Sequence, residues 1–175
     1  MARTIKPFTQ GDLDGLCGLY SLTNIVHYLI GPLSQNQAEE LIATMFGMLE
    51  KRDLALDAFQ NGLGLNSMAF LIKTVLFERF GISYSKPFHH GKYPTIGGVV
   101  KSLREITLSQ DYIALIAIEG VYSHWVPITK ATNKNLICLD SSDLKRLPIA
   151  QLSTNENTNK PHILYPRHCY IFSKL

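Results

Sequence analysis

The sequence predicts an α+β domain on three observations. Apolar residues recur at helical spacing through the first half, the second half breaks into short runs rich in Ile, Val, Tyr and Phe, and the period of the pattern changes near residue 110. In 16–30 the residues Leu16, Tyr20, Leu22, Ile25, Val26, Leu29 and Ile30 line one helical face, and Gly31-Pro32 supplies the stop. Ser34 can cap a second helix, in which Ala38, Leu41, Ile42, Met45, Phe46 and Leu49 again form one stripe. A glycine-bearing loop at 61–66 precedes a third helix, capped by Asn66 or Ser67, that runs through MAFLIKTVLFERF to Gly81. The prolines and glycine of SKPFHHGKYP mark an irregular connection, and a shorter helix, TIGGVVKSLREI, follows.

The runs DYIALIAIEG, SHWVPITK, NLICLD and RHCYIFSK then predict an antiparallel sheet, interrupted by the turn ATNKN and the polar loop STNENTNKP. The helices are expected on one side of the sheet or beside it. The 175 residues fit one domain over 1–175, with a helical half at about 10–110 and a sheet half at about 111–175.

Composition excludes several function classes. Hydrophobic residues at 46% and charged residues at 18% suit a packed interior and not a disordered chain. The formal charge of +3 comes from scattered lysines and arginines, so no nucleic-acid partner is expected. The start of the chain has no apolar leader, and no apolar stretch approaches the roughly 18 residues that cross a bilayer. The expectation is therefore no membrane partner, and a location in the cytoplasm or export without a cleavable signal peptide. Cys17, Cys138 and Cys169 are an odd set without CxxC spacing, which argues against a disulfide framework or zinc site and for a reducing compartment. His89, His90, His162 and His168 lack ligand spacing with carboxylates or cysteines, so neither a metal nor any other cofactor is expected.

The stretch QGDLDGLCGLYSLTN carries the chemistry. If the first helix begins near 15–17, the Cys17 thiol lies in its first turn, where unpaired N–H groups and the helix dipole favour a thiolate. Gly15 and Gly18 leave no side chain beside the sulfur, so a planar acyl group could approach. Asp12 and Asp14 suit turn and cap chemistry in the preceding loop. The competing reading is a packing cysteine.

A cysteine nucleophile needs a base and a residue that orients it. His124 opens the strand SHWVPITK and Asp140 ends NLICLD; a hairpin around ATNKN would bring both to the same open end of the sheet. Taken singly, His124 reads as a surface histidine and Asp140 as a turn residue. Trp125 can wall a cleft beside His124 or pack as a strand aromatic. Cys138 and Cys169 alternate with apolar neighbours and read as core, and Ser21 and Ser123 lack a histidine and acid set of their own.

A Gln-containing loop, CG at a helix start, a His-bearing strand and an Asp after the next strand together resemble the papain-like cysteine peptidase superfamily. The compact layout is most similar to the double-glycine leader peptidases of bacteriocin exporters. The resemblance spans about 10–140 and implies a papain-like fold, with Cys17 as nucleophile, His124 as base and acid, Asp140 as orienting residue and Gln10 as oxyanion-hole donor. Here the chain departs from the family: Gln10 lies one position further from the cysteine than the pattern has it, and Gly11 holds the expected place.

The implied activity is amide hydrolysis on a protein or peptide through a thioester. Glutamine deamidation, transglutaminase-like acyl transfer and a catalytically idle interaction module are the alternatives. With Cys17 so near the start of the sequence no pro-segment of ordinary size is expected before it, which favours a selective bacterial peptidase or deamidase, of the effector or toxin kind, restrained by narrow specificity, by an inhibitor or immunity protein, or by export to another cell. Specificity is expected in the loops SKPFHHGKYP and STNENTNKP.

Overall fold

A computed structural model describes residues 5–10, 15–90, 93–121, 123–156 and 159–175. Helix α1 (Cys17–Leu29) begins at the cysteine, and its face of Leu19, Leu22, Ile25, Val26 and Leu29 is buried. Helix α2 (Gln35–Glu50) starts at the expected cap. Ser34 Oγ accepts from Gln37 N at 3.3 Å, while Gln37 Oε1 accepts from Ser34 N at 2.8 Å, so two orphan donors are satisfied reciprocally. A short helix α3 (Ala55–Asn61) lies where the sequence signals no element. The expected third helix starts earlier than its Asn66 or Ser67 cap, as α4 (Leu65–Leu71) behind Gly64, and continues as a π-helical stretch, Ile72–Phe77. Gly81, at φ +63, ends the segment in the left-handed region that favours glycine. Helix α5 (Ile96–Ile106) is capped by Thr95, whose Oγ1 accepts from Gly98 N at 3.3 Å.

Among the described residues the strands are β1 (Ile82–Ser85), β2 (Tyr112–Gly120), β3 (His124–Ala131), β4 (Asn135–Cys138), β5 (Arg146–Pro148), β6 (Leu152–Ser153), β7 (His162–Leu164) and β8 (Tyr170–Lys174). The main sheet runs β1-β8-β2-β3-β4-β5, with β7 joined to one end of β2. All pairings are antiparallel except β6 with β7, which is parallel. The α+β class holds, but helices do not all precede strands: β1 interrupts the helical half and forms the sheet edge beside β8. The helices also flank both faces. Along β2, Ile113 and Leu115 join the core under α1, α2 and α4, whereas Ala114, Ile116 and Ile118 join a second core with Val99 and Leu103 of α5. This alternation is the period-two signature of a sheet buried on both sides.

The hairpin of β3 and β4 forms around 132–134. Thr132 Oγ1 accepts from Asn135 N at 2.9 Å, and Thr132 N donates to Asn135 O at 2.9 Å. A bulge at Thr129 shifts the register, so that Ala131 faces Leu136 and Lys130 faces Ile137, but Ile128 faces Cys138. Leu139 N continues the shifted register with a 2.9 Å bond to Pro127 O. Directly opposed residues share a face, so Asp140 falls on the face of Val126 and His124; without the bulge it would fall on the other.

Candidate active site

Cys17 is the first residue of α1 and only 7% exposed. The N-cap residue is Leu16, whose apolar side chain supplies no capping oxygen. The room left by Gly15 and Gly18 is taken by the protein itself and not by a substrate channel. A Cβ on Gly15 would stand 2.8 Å from both Phe59 O and Gly62 N, and one on Gly18 would stand 2.8 Å from Leu63 Cβ. Gly15 N donates to Phe59 O at 2.8 Å. The two glycines therefore let α3 and the following turn close onto the start of α1.

His124 and Asp140 meet as the hairpin requires. His124 Nε2 lies 2.6 Å from Asp140 Oδ1, with the imidazole 7% and the carboxylate 0% exposed. Asp140 Oδ2 accepts from Ser142 N at 2.8 Å and Leu144 N at 3.3 Å, so the acid is fixed by the loop that follows it. Burial works against a charge on His124 and is the largest single influence on it. The hydrogen bonds to Asp140 and Cys17 and the charges of both outweigh it and raise the imidazole to about 9. Asp140, His124 and Cys17 thus form one run of neighbouring polar side chains. Burial pushes Cys169 up to about 12, and burial with the charge of Asp140 does the same to Cys138.

Cys17 and His124 line an open cleft of about 440 Å³, walled by Leu63, Gly64, Trp125 and Ala117. Trp125 is a residue of strand β3. It walls the cleft, it is 6% exposed, and its Nε1 donates to Leu63 O at 2.8 Å, tying the sheet to the turn after α3. Four cleft residues were not legible in the sequence: Asp57, Glu119, Tyr165 and His168. Tyr165 donates to Glu119 Oε2 at 3.0 Å, and burial followed by that bond pushes its hydroxyl up to about 12. Burial, then the charge of Lys86, keeps His168 below its ordinary value. Tyr165 and His168 also line a second hollow of about 580 Å³ between 93–95 and 154–156, so the cleft and this hollow share a wall. The two loops expected to carry specificity, parts of which lie outside the described residues, thus meet there. A larger hollow of about 790 Å³ lies between 5–9 and the α1–α2 corner, away from the cysteine.

Gln10 is placed beside the acid and not among the residues lining the cleft. Its N–H donates to Ser141 O at 3.0 Å, and its Oε1 accepts from Ser141 Oγ at 3.0 Å. Gly11, Asp12 and Asp14 lie outside the described residues. No helix among the described residues is long and apolar enough to cross a membrane. The chain matches no protein-family model, and no curated protein matches it.

Proposed function

We propose that the protein is a cysteine-dependent hydrolase of amide bonds in proteins or peptides, built on a papain-like arrangement. The observation that carries this reading is that His124 bonds both Asp140 and Cys17, and that His124 and Cys17 line one cleft. A thiolate at the helix start attacks the substrate carbonyl, and the N–H groups of the first turn face the oxygen that becomes negative. Protonated His124 gives its proton to the leaving amine, then takes one from the water that hydrolyses the thioester. Asp140 holds the ring in one orientation and stabilises its charge. Gln10 is proposed here as a brace of the acid loop, since both of its bonds go to Ser141. An extended substrate is favoured by the open cleft and by the outer hollow that shares Tyr165 and His168 with it.

The test is iodoacetamide labelling of Cys17, located by peptide mapping, in the wild type and in His124→Ala. An ordinary thiol is almost wholly protonated at about pH 6, so rapid labelling there marks an activated cysteine. The wild type should label quickly at that pH, His124→Ala should not, and a peptide library should yield new N-termini with the wild type but none with Cys17→Ala. Slow labelling that His124→Ala leaves unchanged overturns the reading.

A further inference from the structure

We propose that Ser21 and Asn24 are positioning residues, through which the helix carrying Cys17 sets the places of His124 and Asp140; the inference rests on the Cys17, His124 and Asp140 reading above. Positions 17, 21 and 24 fall on one helical face, because steps of four and seven residues close on nearly whole turns. Ser21 and Asn24 are both 0% exposed and lie among Leu22, Ile25 and Val26, where an apolar residue would fill the space without burying a polar group. Each polar group is satisfied, and the partners are the neighbours of the reacting residues.

Ser21 Oγ donates to Trp125 O at 2.7 Å, and Trp125 follows His124. Asn24 Nδ2 reaches Leu139 O at 3.5 Å, and Leu139 precedes Asp140. The same amide grips the strap at 5–10 more firmly: Asn24 Oδ1 accepts from Phe8 N at 2.8 Å and Nδ2 donates to Phe8 O at 3.1 Å. Two residues on, Gln10 holds Ser141 on the far side of Asp140 by two 3.0 Å bonds. The acid is thus held on both flanks from Asn24, once directly and once through the strap. Nucleophile, base and acid take their register from a single helical face. A relay whose Nε2–Oδ1 contact is 2.6 Å has little tolerance for sliding of the helix against the hairpin.

Thr23 provides an internal control. It is equally buried, but its Oγ1 donates only to Leu19 O at 2.9 Å, within its own helix. The experiment measures Cys17 labelling by iodoacetamide as the ratio of rates at about pH 6 and about pH 9.5, which cancels changes in access. Ser21→Ala and Asn24→Ala should lower that ratio by at least about threefold, the change in thiolate fraction for half a pH unit. Thr23→Ala should leave it unmoved while losing a comparable amount of thermal stability. An unchanged ratio in Ser21→Ala, or an equal fall in Thr23→Ala, overturns the proposal. If Asn24→Ala does not fold, Ser21→Ala, the smaller truncation, decides alone. A wild-type ratio like that of an ordinary thiol sinks the functional reading instead. A high wild-type ratio that is lost in His124→Ala yet kept in Ser21→Ala sinks only the positioning role.

Discussion

At the scale of single residues, the start of α1 depends on atoms that are missing as much as on the thiol. Gly15 is enclosed by backbone, and neither Phe59 O nor Gly62 N can swing aside, so a methyl group there must displace α3 as a unit. Gly18 faces Leu63, whose Cβ is fixed to its backbone and cannot be moved by a change of rotamer, so a methyl group there must shift the turn after α3 as well. Gly15→Ala and Gly18→Ala should therefore each cost about 1–3 kcal/mol, the range of overpacked interiors. Urea unfolding midpoints of the two variants measure the cost directly; a variant as stable as the wild type would mean that α3 and its turn yield freely. The three residues proposed to react are legible because their pattern is rare in context: a cysteine between glycines, a histidine at a strand start, an aspartate closing the next strand. The glycines were legible only as absences, since nothing in their neighbourhood discloses that α3 will fold back onto them. Ser21 and Asn24 had a readable signal, two polar residues on the buried face of an apolar helix, but their partners lie 104 and 115 residues away.

At the scale of elements, long periodic segments were readable and short ones were not. Helices α1, α2 and α5 carry caps or stops that the sequence spells out, whereas β1, β5, β6 and β7 have two to four residues each, too few for an alternation to register. Helix α3 has seven residues and reads as loop for the same reason. The hairpin that joins His124 to Asp140 was readable from its turn, but the bulge at Thr129, which decides on which face Asp140 falls, leaves no mark in a single sequence. The capping box of α2 gives an independent check on how separate the elements are. Ser34→Ala should cost about 1 kcal/mol of stability, as cap removal does, and leave Cys17 labelling unchanged, because α2 provides no residue to the cleft. A fall in labelling would tie α2 to the site.

At the scale of the whole molecule, the ion pair makes stability depend on pH. The His124 imidazole rises from 6.5 to about 9 on folding, so the folded state binds a proton that the unfolded chain lacks between those values. Its contribution is complete below about 6.5 and disappears as pH climbs through about 9. Melting temperature should fall between about pH 7 and about pH 9.5, and Asp140→Asn should flatten that decline; a decline that persists in the variant assigns it to other groups. His27 acts at the opposite end. Burial lowers its pKa, and its Nδ1 accepts from Leu33 N at 2.8 Å, so acid must protonate an occupied acceptor and stability drops as pH falls below 6.5.

The order of the sheet also sets when the protein can become reactive. Strand β8 sits between β1 and β2, and its Tyr170 and Phe172 complete the floor on which the helical layer rests. During synthesis, Cys17 leaves the ribosome long before that floor exists, and the nascent thiol has no base held against it. On the proposed reading, reactivity waits until Tyr170–Lys174 has been made and has taken its place between β1 and β2. A hydrolase so built would spare the translating cell a half-assembled active site.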